Sequence, residues 1–375
     1  MTKKLGFGCM RLPLTNPDDQ TSINMNEFQS MVDLFMEKGF TYFDTAYMYH
    51  DFTSETALRE ALVRRYPRTS YTLASKMPIM MVHTKEDQER IFAEQLEKCG
   101  VEYFDYYMIH NIGRIFYGLA EEIDSFGFLK AKKAEGKIKT IGISCHDNAE
   151  FLEKVLTEHP EIEFVQIQLN YLDWDNDGIQ SRKCLEVCEK HGKPVIVMEP
   201  VKGGNLAAIP EAAADLFKAY APEASIASWA VRFAATPERV MIVLSGMSNL
   251  AQMQDNLSYM EDFKPITPEE NKIISEAVAI INKSVVIPCT NCQYCVHGCP
   301  EEIPIPQYFT LYNANKQITV PGFPTEINYY QNMVKTHAKA SDCIECGECE
   351  RVCPQHIAIT TWLKDVAKTF EIPLF

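Results

Sequence analysis

The amino-acid sequence predicts an α/β chain built as a closed (β/α)8 TIM barrel followed by a small, mainly helical C-terminal domain. Three observations point there. Eight short apolar runs alternate with longer segments of helical period, prolines at Pro265 and Pro268 then break the alternation, and eight of the 13 cysteines crowd between residues 289 and 353. At 375 residues the chain exceeds the usual size of a single core, so one large and one small unit are expected.

The strand candidates are residues 5–10, 40–44, 71–76, 104–110, 138–144, 164–168, 194–199 and 240–245. Each gives way to an amphipathic stretch, over 26–38, 54–65, 85–98, 119–135, 149–156, 180–190, 223–234 and 250–260. A doubly wound sheet is the rival architecture, and the count of eight strand–helix pairs favours closure into a barrel, a fold of typically ~250 residues. After the prolines, a helix over 269–283 is expected to lie against the barrel and lead out near Val285. The domains are therefore read as 1–285 and 286–375. Between the cysteine runs, residues 304–337 hold several aromatics and Pro321-Gly322-Phe323-Pro324, a spacer long enough to carry helices of its own.

Composition narrows the function classes. Hydrophobic residues at 46% and charged residues at 23% are ordinary for a soluble globular chain. A formal charge of −15 disfavours nucleic acid as a partner, because phosphate neutralisation needs clustered Lys and Arg. No apolar run reaches membrane-spanning length, and Met1-Thr2-Lys3-Lys4 leads into a strand-like segment, not a signal sequence. Many free thiols suit a reducing compartment, so a cytoplasmic location is expected.

The cysteines form two copies of one spacing. Cys289, Cys292, Cys295 and Cys299 precede Pro300, and Cys343, Cys346, Cys349 and Cys353 precede Pro354, each as C-x2-C-x2-C-x3-C-P. That run is the bacterial ferredoxin signature for [4Fe–4S] ligation, in which the fourth cysteine serves the other cluster. One cluster is accordingly assigned to Cys289, Cys292, Cys295 and Cys353, the other to Cys343, Cys346, Cys349 and Cys299. A four-thiolate zinc site normally shows two separated C-x2-C pairs and fits less well. The C-terminal domain is thus expected to be ferredoxin-like with two [4Fe–4S] clusters.

In a closed barrel the C-terminal ends of the strands make the active-site face. Strand two is expected to end at Asp44, with Tyr49 five residues on, strand three at Lys76 and strand four at His110. With Gly6-Phe-Gly-Cys-Met-Arg11, Phe43-Asp-Thr-Ala-Tyr-Met-Tyr49, Leu73-Ala-Ser-Lys76 and Asp105-Tyr-Tyr-Met-Ile-His110, the chain resembles the aldo-keto reductase family over about residues 4–262. The added cysteine runs resemble its ferredoxin-fused branch. The resemblance implies hydride transfer between NAD(P)H and an aldehyde or ketone. Reduction of a carbonyl leaves an alkoxide that needs a proton, and a phenol of pKa about 10 is a poor donor near neutrality. By the resemblance, Tyr49 is the proton donor, and a cation at Lys76 would favour phenolate and strengthen it as an acid. Asp44 would orient Lys76, and His110 would bond the carbonyl oxygen.

A Rossmann site is not supported, since no G-x-G-x-x-G follows a strand. The resemblance places the nucleotide across the mouth, near Gly8, Met10 and Arg11, with Ser144 and Gln166 on the carboxamide. Met198, Pro200, Val201, Lys202, Gly203 and Gly204 would flank the pyrophosphate, and Gly246, Ser248, Gln252, Asp255 and Asn256 the adenosine end. Three positions depart from the family pattern. Cys145 stands for the usual Asn, Met198 for the stacking aromatic, and Asn249 and Gln252 where a basic residue often takes a 2′-phosphate, so the choice between NADP(H) and NAD(H) stays open, and a preference for NADP would need a lysine elsewhere, such as Lys202. A flavin has no sequence motif here, though a barrel mouth can hold one without it. Cys145 and His146, just past a strand end, are within reach of substrate or simply turn the chain. Expected partners are a small carbonyl or alcohol and a ferredoxin or flavodoxin electron carrier, with neither nucleic acid nor membrane. The rival reading is an iron–sulfur electron-transfer module whose barrel only senses cofactor or docks.

Overall fold

The computed structural model describes residues 3–283, 285–317 and 324–373. Eight parallel strands close in sequence order: β1 (Leu5–Gly8), β2 (Tyr42–Asp44), β3 (Thr72–Pro78), β4 (Phe104–Ile112), β5 (Ile138–Cys145), β6 (Phe164–Gln168), β7 (Val195–Met198) and β8 (Val240–Ser245). All eight expected strands are present, and β8 pairs back onto β1.

The period of two along each strand sorts residues into layers. Tyr42, Ala74, Met108, Phe164, Ile196 and Ile242 form one apolar cluster inside the barrel. Gly142 makes room for this plug, because a Cβ there would lie 2.5 Å from the Phe164 ring. Two residues further along the same strands come Asp44, Lys76, His110, Gln166 and Met198. A polar layer therefore sits on a dry floor, and the strand pattern alone places it there.

The larger core lies between the strands and the outer helices. Helices Met25–Glu37, Lys85–Cys99, Ala149–Glu158, Ser181–Lys190 and Leu250–Met260 follow their strands as expected. Three segments differ. Residues 54–65 are a short α-helix, Ser54–Leu58, running into a π-helical turn over Arg59–Val63. The helix expected over 119–135 is two, Arg114–Glu122 and Ser125–Ala134, because Asp124 takes a left-handed φ of 57° between them. Ahead of Ile226–Ala235 stands an unexpected helix, Glu211–Tyr220, whose alanine-rich sequence favours helix and whose Ala213, Ala214 and Phe217 are buried.

Pro268–Asn282 packs on Glu211–Tyr220 against the barrel. Beyond it lie Tyr294–His297, Ile305–Lys316, Glu326–Met333, Glu348–Arg351 and Ile359–Phe370, with a second core built around Tyr308, Phe309, Tyr330 and Leu363. The spacer between the cysteine runs has helices of its own, while Pro321-Gly322-Phe323 falls outside the described residues. Among the described residues no helix is long and apolar enough to cross a membrane.

Candidate active site

Asp44, Tyr49, Lys76 and His110 meet at the mouth. The buried Lys76 ammonium donates to Asp44 Oδ1 and, at 2.7 Å, to Thr45 O. Its Nζ lies 4.8 Å from the Tyr49 ring centroid, and the Tyr49 ring stands edge-on to His110 with centroids 6.0 Å apart. Lys76 and His110 do not end their strands. β3 continues to Pro78 and β4 to Ile112, with the β4–β5 register shifting between Ile109 and Ile112 and Asn111 in the left-handed region at φ 58°.

Burial works against the Lys76 charge, but Asp44 and Tyr49 outweigh it and raise its pKa. Asp44 is raised by burial, opposed by Lys76. Burial drives His110 well below its ordinary value, helped by Lys76 and His146, so its imidazole is neutral. For Tyr49 the outcome reverses expectation. Lys76 pulls the phenol down as anticipated, yet burial is larger and Asp44 and Glu199 add to it, so the net shift is upward. A buried, electrically crowded site favours the neutral phenol over phenolate.

Behind the mouth is a second polar network. Gln95 Nε2 donates to Lys76 O at 3.1 Å, to Ser75 Oγ at 2.9 Å and to Glu55 Oε1 at 2.7 Å, and Ser75 Oγ also donates to Glu55 at 2.8 Å. Glu55 is fully buried. It was not among the sequence candidates; the one hint was a carboxylate on the inner face of a short helix.

The nucleotide candidates divide. Ser144 and Gln166 are paired across β5 and β6, Gln166 Oε1 is buried without a partner among the described residues, and Gln166 Nε2 meets only Met198 Sδ at 3.5 Å. Those groups can take a carboxamide. Arg11 reaches between the loops after β7 and β8, since a Cβ on Gly203 would lie 3.1 Å from its guanidinium and one on Gly246 3.4 Å from its Cβ. Gly8 lies against the Ser245 carbonyl, and Met10 is exposed. Pro200 and Val201 lead into a turn where Gly203 and Gly204 have φ of 66° and 103°, and Gly204 N donates to Val201 O at 3.0 Å. Ser248 N is capped by Gln252 Oε1 at 2.8 Å.

Three candidates are engaged elsewhere. Lys202 is buried and bonds Asp173 at 2.9 Å and Glu326 at 2.8 Å, leaving no free ammonium for a 2′-phosphate. Asp255 accepts from Ser225 Oγ at 2.8 Å, which turns it toward the start of helix Ile226–Ala235. Asn256 is buried and donates to Ser245 Oγ at 2.9 Å, tying its helix to the end of β8.

Helix Glu326–Met333 borders the mouth. Asn111 Nδ2 donates to Asn328 Oδ1 at 3.3 Å; Asn332 accepts from Ile115 N and donates to His146 O, both at 2.9 Å. Tyr329 stands edge-on to His146, a buried imidazole whose pKa burial lowers to about 4. Asn328 and Asn332 are spaced four apart on one buried helix face, a polar stripe that is the only sequence trace of this contact.

The cysteines gather as two sets. Cys289, Cys292, Cys295 and Cys353 line one cavity, and Cys299, Cys343, Cys346 and Cys349 line the other. Each set takes three thiols from one run and one from the other. Among the described residues no three His, Cys, Asp or Glu side chains gather closely enough to hold a single metal ion. Thiols spread around a wider space fit a cube better than a tetrahedral ion with bonds of about 2.3 Å.

A closed parallel barrel with a Lys–Asp–Tyr–His mouth and an appended thiol-rich domain make a two-part architecture. The Aldo/keto reductase family matches residues 4–279, and the chain belongs to it; the 4Fe-4S dicluster domain matches residues 288–358. Among curated proteins it is similar to a probable aldo-keto reductase 1 of Glycine max, 27% identical over 54% of this chain and 56% of the relative. It is also similar to an NADH-specific methylglyoxal reductase of Escherichia coli, 26% identical over 48% of this chain and 58% of the relative. The chain thus spans little more than half the length of these relatives. In fold it resembles an aldo-keto reductase of Klebsiella pneumoniae crystallised with NADPH, with a TM-score of 0.59 at 20% identity, covering 73% of this chain and 90% of that one.

Proposed function

We propose that this protein reduces a small aldehyde or ketone, reversibly, at the barrel mouth, with its barrel at residues 1–285 and a two-cluster domain at 286–375. The observation that carries the reading is the polar layer of Asp44, Lys76 and His110, with Tyr49 above, resting on an apolar floor. Ser144 and Gln166 would hold the carboxamide of a nicotinamide cofactor, which would supply the hydride. Tyr49 gives the developing alkoxide its proton; burial keeps the phenol protonated but weakens it as an acid, so the transfer depends on stabilising the phenolate left behind. Lys76, fixed by Asp44 and Thr45, lies against the phenol ring and stabilises negative charge left on it. Neutral His110 bonds the carbonyl oxygen and sets its angle. The eight cysteines would hold two clusters, which would supply single-electron transfer to or from a redox partner, and helix Glu326–Met333 links their domain to the rim.

The test is Tyr49→Phe in cluster-loaded protein prepared without oxygen. Nucleotide-dependent turnover across a panel of aldehydes and ketones should fall about 10²–10⁴-fold, while nucleotide binding persists. Undiminished turnover would remove Tyr49 as donor, and tight nucleotide binding with no turnover in the parent protein would favour a docking scaffold instead.

A further inference from the structure

The cysteine runs expose a surface that carbonyl chemistry does not use. Ile344 and Tyr294 are each 60% exposed and Val352 43%, against the usual burial of such side chains. Ile344 lines the same cavity as Cys299, Cys343, Cys346 and Cys349. Tyr294 opens Tyr294–His297 and Val352 follows Glu348–Arg351, two short helices packed on each other. Cys292 and Cys346 are themselves exposed.

Charge around these groups is one-sided. Segments 289–302 and 341–356 together hold six acids and one base, whereas the rest of residues 286–375 holds three acids and five bases. Part of the acid is offset locally, Glu345 by Lys364 at 2.8 Å and Glu348 by Arg351. The excess remains negative where the thiols reach the surface. Exposed apolar side chains in segments with excess acid are the complement of a cofactor edge set among basic residues.

We propose that this face docks a protein one-electron carrier whose exposed cofactor edge is ringed by Lys or Arg, and that an acidic carrier is turned away. The proposal keeps an electron-carrier partner but replaces the expected ferredoxin or flavodoxin, which are acidic, with a basic one; it rests on the cluster assignment and not on carbonyl reduction. Like charges facing each other across the contact slow encounter, opposite charges hasten it, and both effects fade with salt.

Cytochrome c, a basic one-electron protein, and the same protein with its lysines succinylated provide a matched pair with one haem and opposite charge. With oxidised, cluster-loaded protein and ferricytochrome c no electron moves, so calorimetric titration reads docking alone. Native cytochrome c should bind at low ionic strength about tenfold or more tightly than the succinylated form, and the preference should vanish near 0.5 M salt. After dithionite reduction and removal of excess reductant, one electron leaves a reduced cluster and converts ferric haem to ferrous, with no bond or proton exchanged. Stopped-flow rates should show the same order. E345K with E348K should remove most of the preference, Ile344→Ser should weaken docking of both forms, and E211K with D215K on the barrel should change neither. Equal affinity for the two forms, indifference to salt, or an equal loss in the barrel variant overturns the proposal. A preparation devoid of iron overturns it together with the cluster assignment, leaving carbonyl turnover to its own assay.

Discussion

Replacing Glu55 by glutamine removes one ionisable group from the network that supports the Lys76 backbone while keeping its shape. Burial pushes the Glu55 carboxyl from an ordinary 4.5 up to about 7, with bonds from Gln95 and Ser75 and the charge of Lys98 only partly opposing it. An acid whose folded pKa is raised holds its proton more tightly in the native state. Its contribution is therefore fully present below about pH 4.5 and is lost as pH rises through about 7. At 1.36 kcal/mol per pH unit the loss has a ceiling of about 3 kcal/mol. Glutamine cannot ionise, and its amide oxygen can still accept from Ser75 and Gln95. Glu55→Gln should match the parent to within about 1 kcal/mol at pH 5 and exceed it by 2–3 kcal/mol at pH 8, roughly 5 °C in melting temperature for a barrel of this size. Circular dichroism melts of anaerobic protein at both pH values test this. A pH-independent difference, or a variant less stable at both, would refute the assignment of a buried, proton-holding carboxyl at this position.

Other perturbations follow from the same geometry. Lys76→Met leaves Asp44 buried without its cation and should cost about 3–5 kcal/mol in urea unfolding, with much of the loss recovered by adding Asp44→Asn. Lys202→Met should leave the ratio of NADPH to NADH affinity unchanged, since this ammonium is spent on Asp173 and Glu326, and should speed hydrogen exchange in Glu326–Met333. Asn332→Ala strips partners from the Ile115 amide and the His146 carbonyl, costing about 1–3 kcal/mol and raising KM for carbonyl substrates. Anaerobic iron analysis should return about eight irons per chain.

The barrel was largely readable in advance because each strand announces itself by length, β-branched residues and flanking breakers. The mouth residues were named from expected strand ends and the family resemblance, and the strand alternation agrees with them: with Phe43 facing outward, Asp44 faces inward, and the same alternation carries Lys76 and His110 to the inner face. What stayed hidden was set by burial and distant contact. Burial outweighs Lys76 at the Tyr49 phenol, a balance that depends on every neighbour and on none of the local residues alone. Lys202 looked available to a nucleotide because Glu326, its partner, is 124 positions away. Asp124 split a helix whose periodicity continued through it, since a single left-handed residue leaves almost no trace in an apolar pattern. The cysteine sets needed no long-range knowledge beyond their own repeat, and the two cavities group the thiols in the exchanged arrangement that the repeat suggests.

That exchange makes the two halves of the repeat hostage to each other. Neither cavity has its fourth sulfur until the chain has folded back across some fifty residues, so neither can be completed by its own segment. Reconstitution should then run from empty to full with little half-loaded protein between, and oxidative loss of either cube should loosen its neighbour. Cutting the chain ahead of Cys343 would forfeit both.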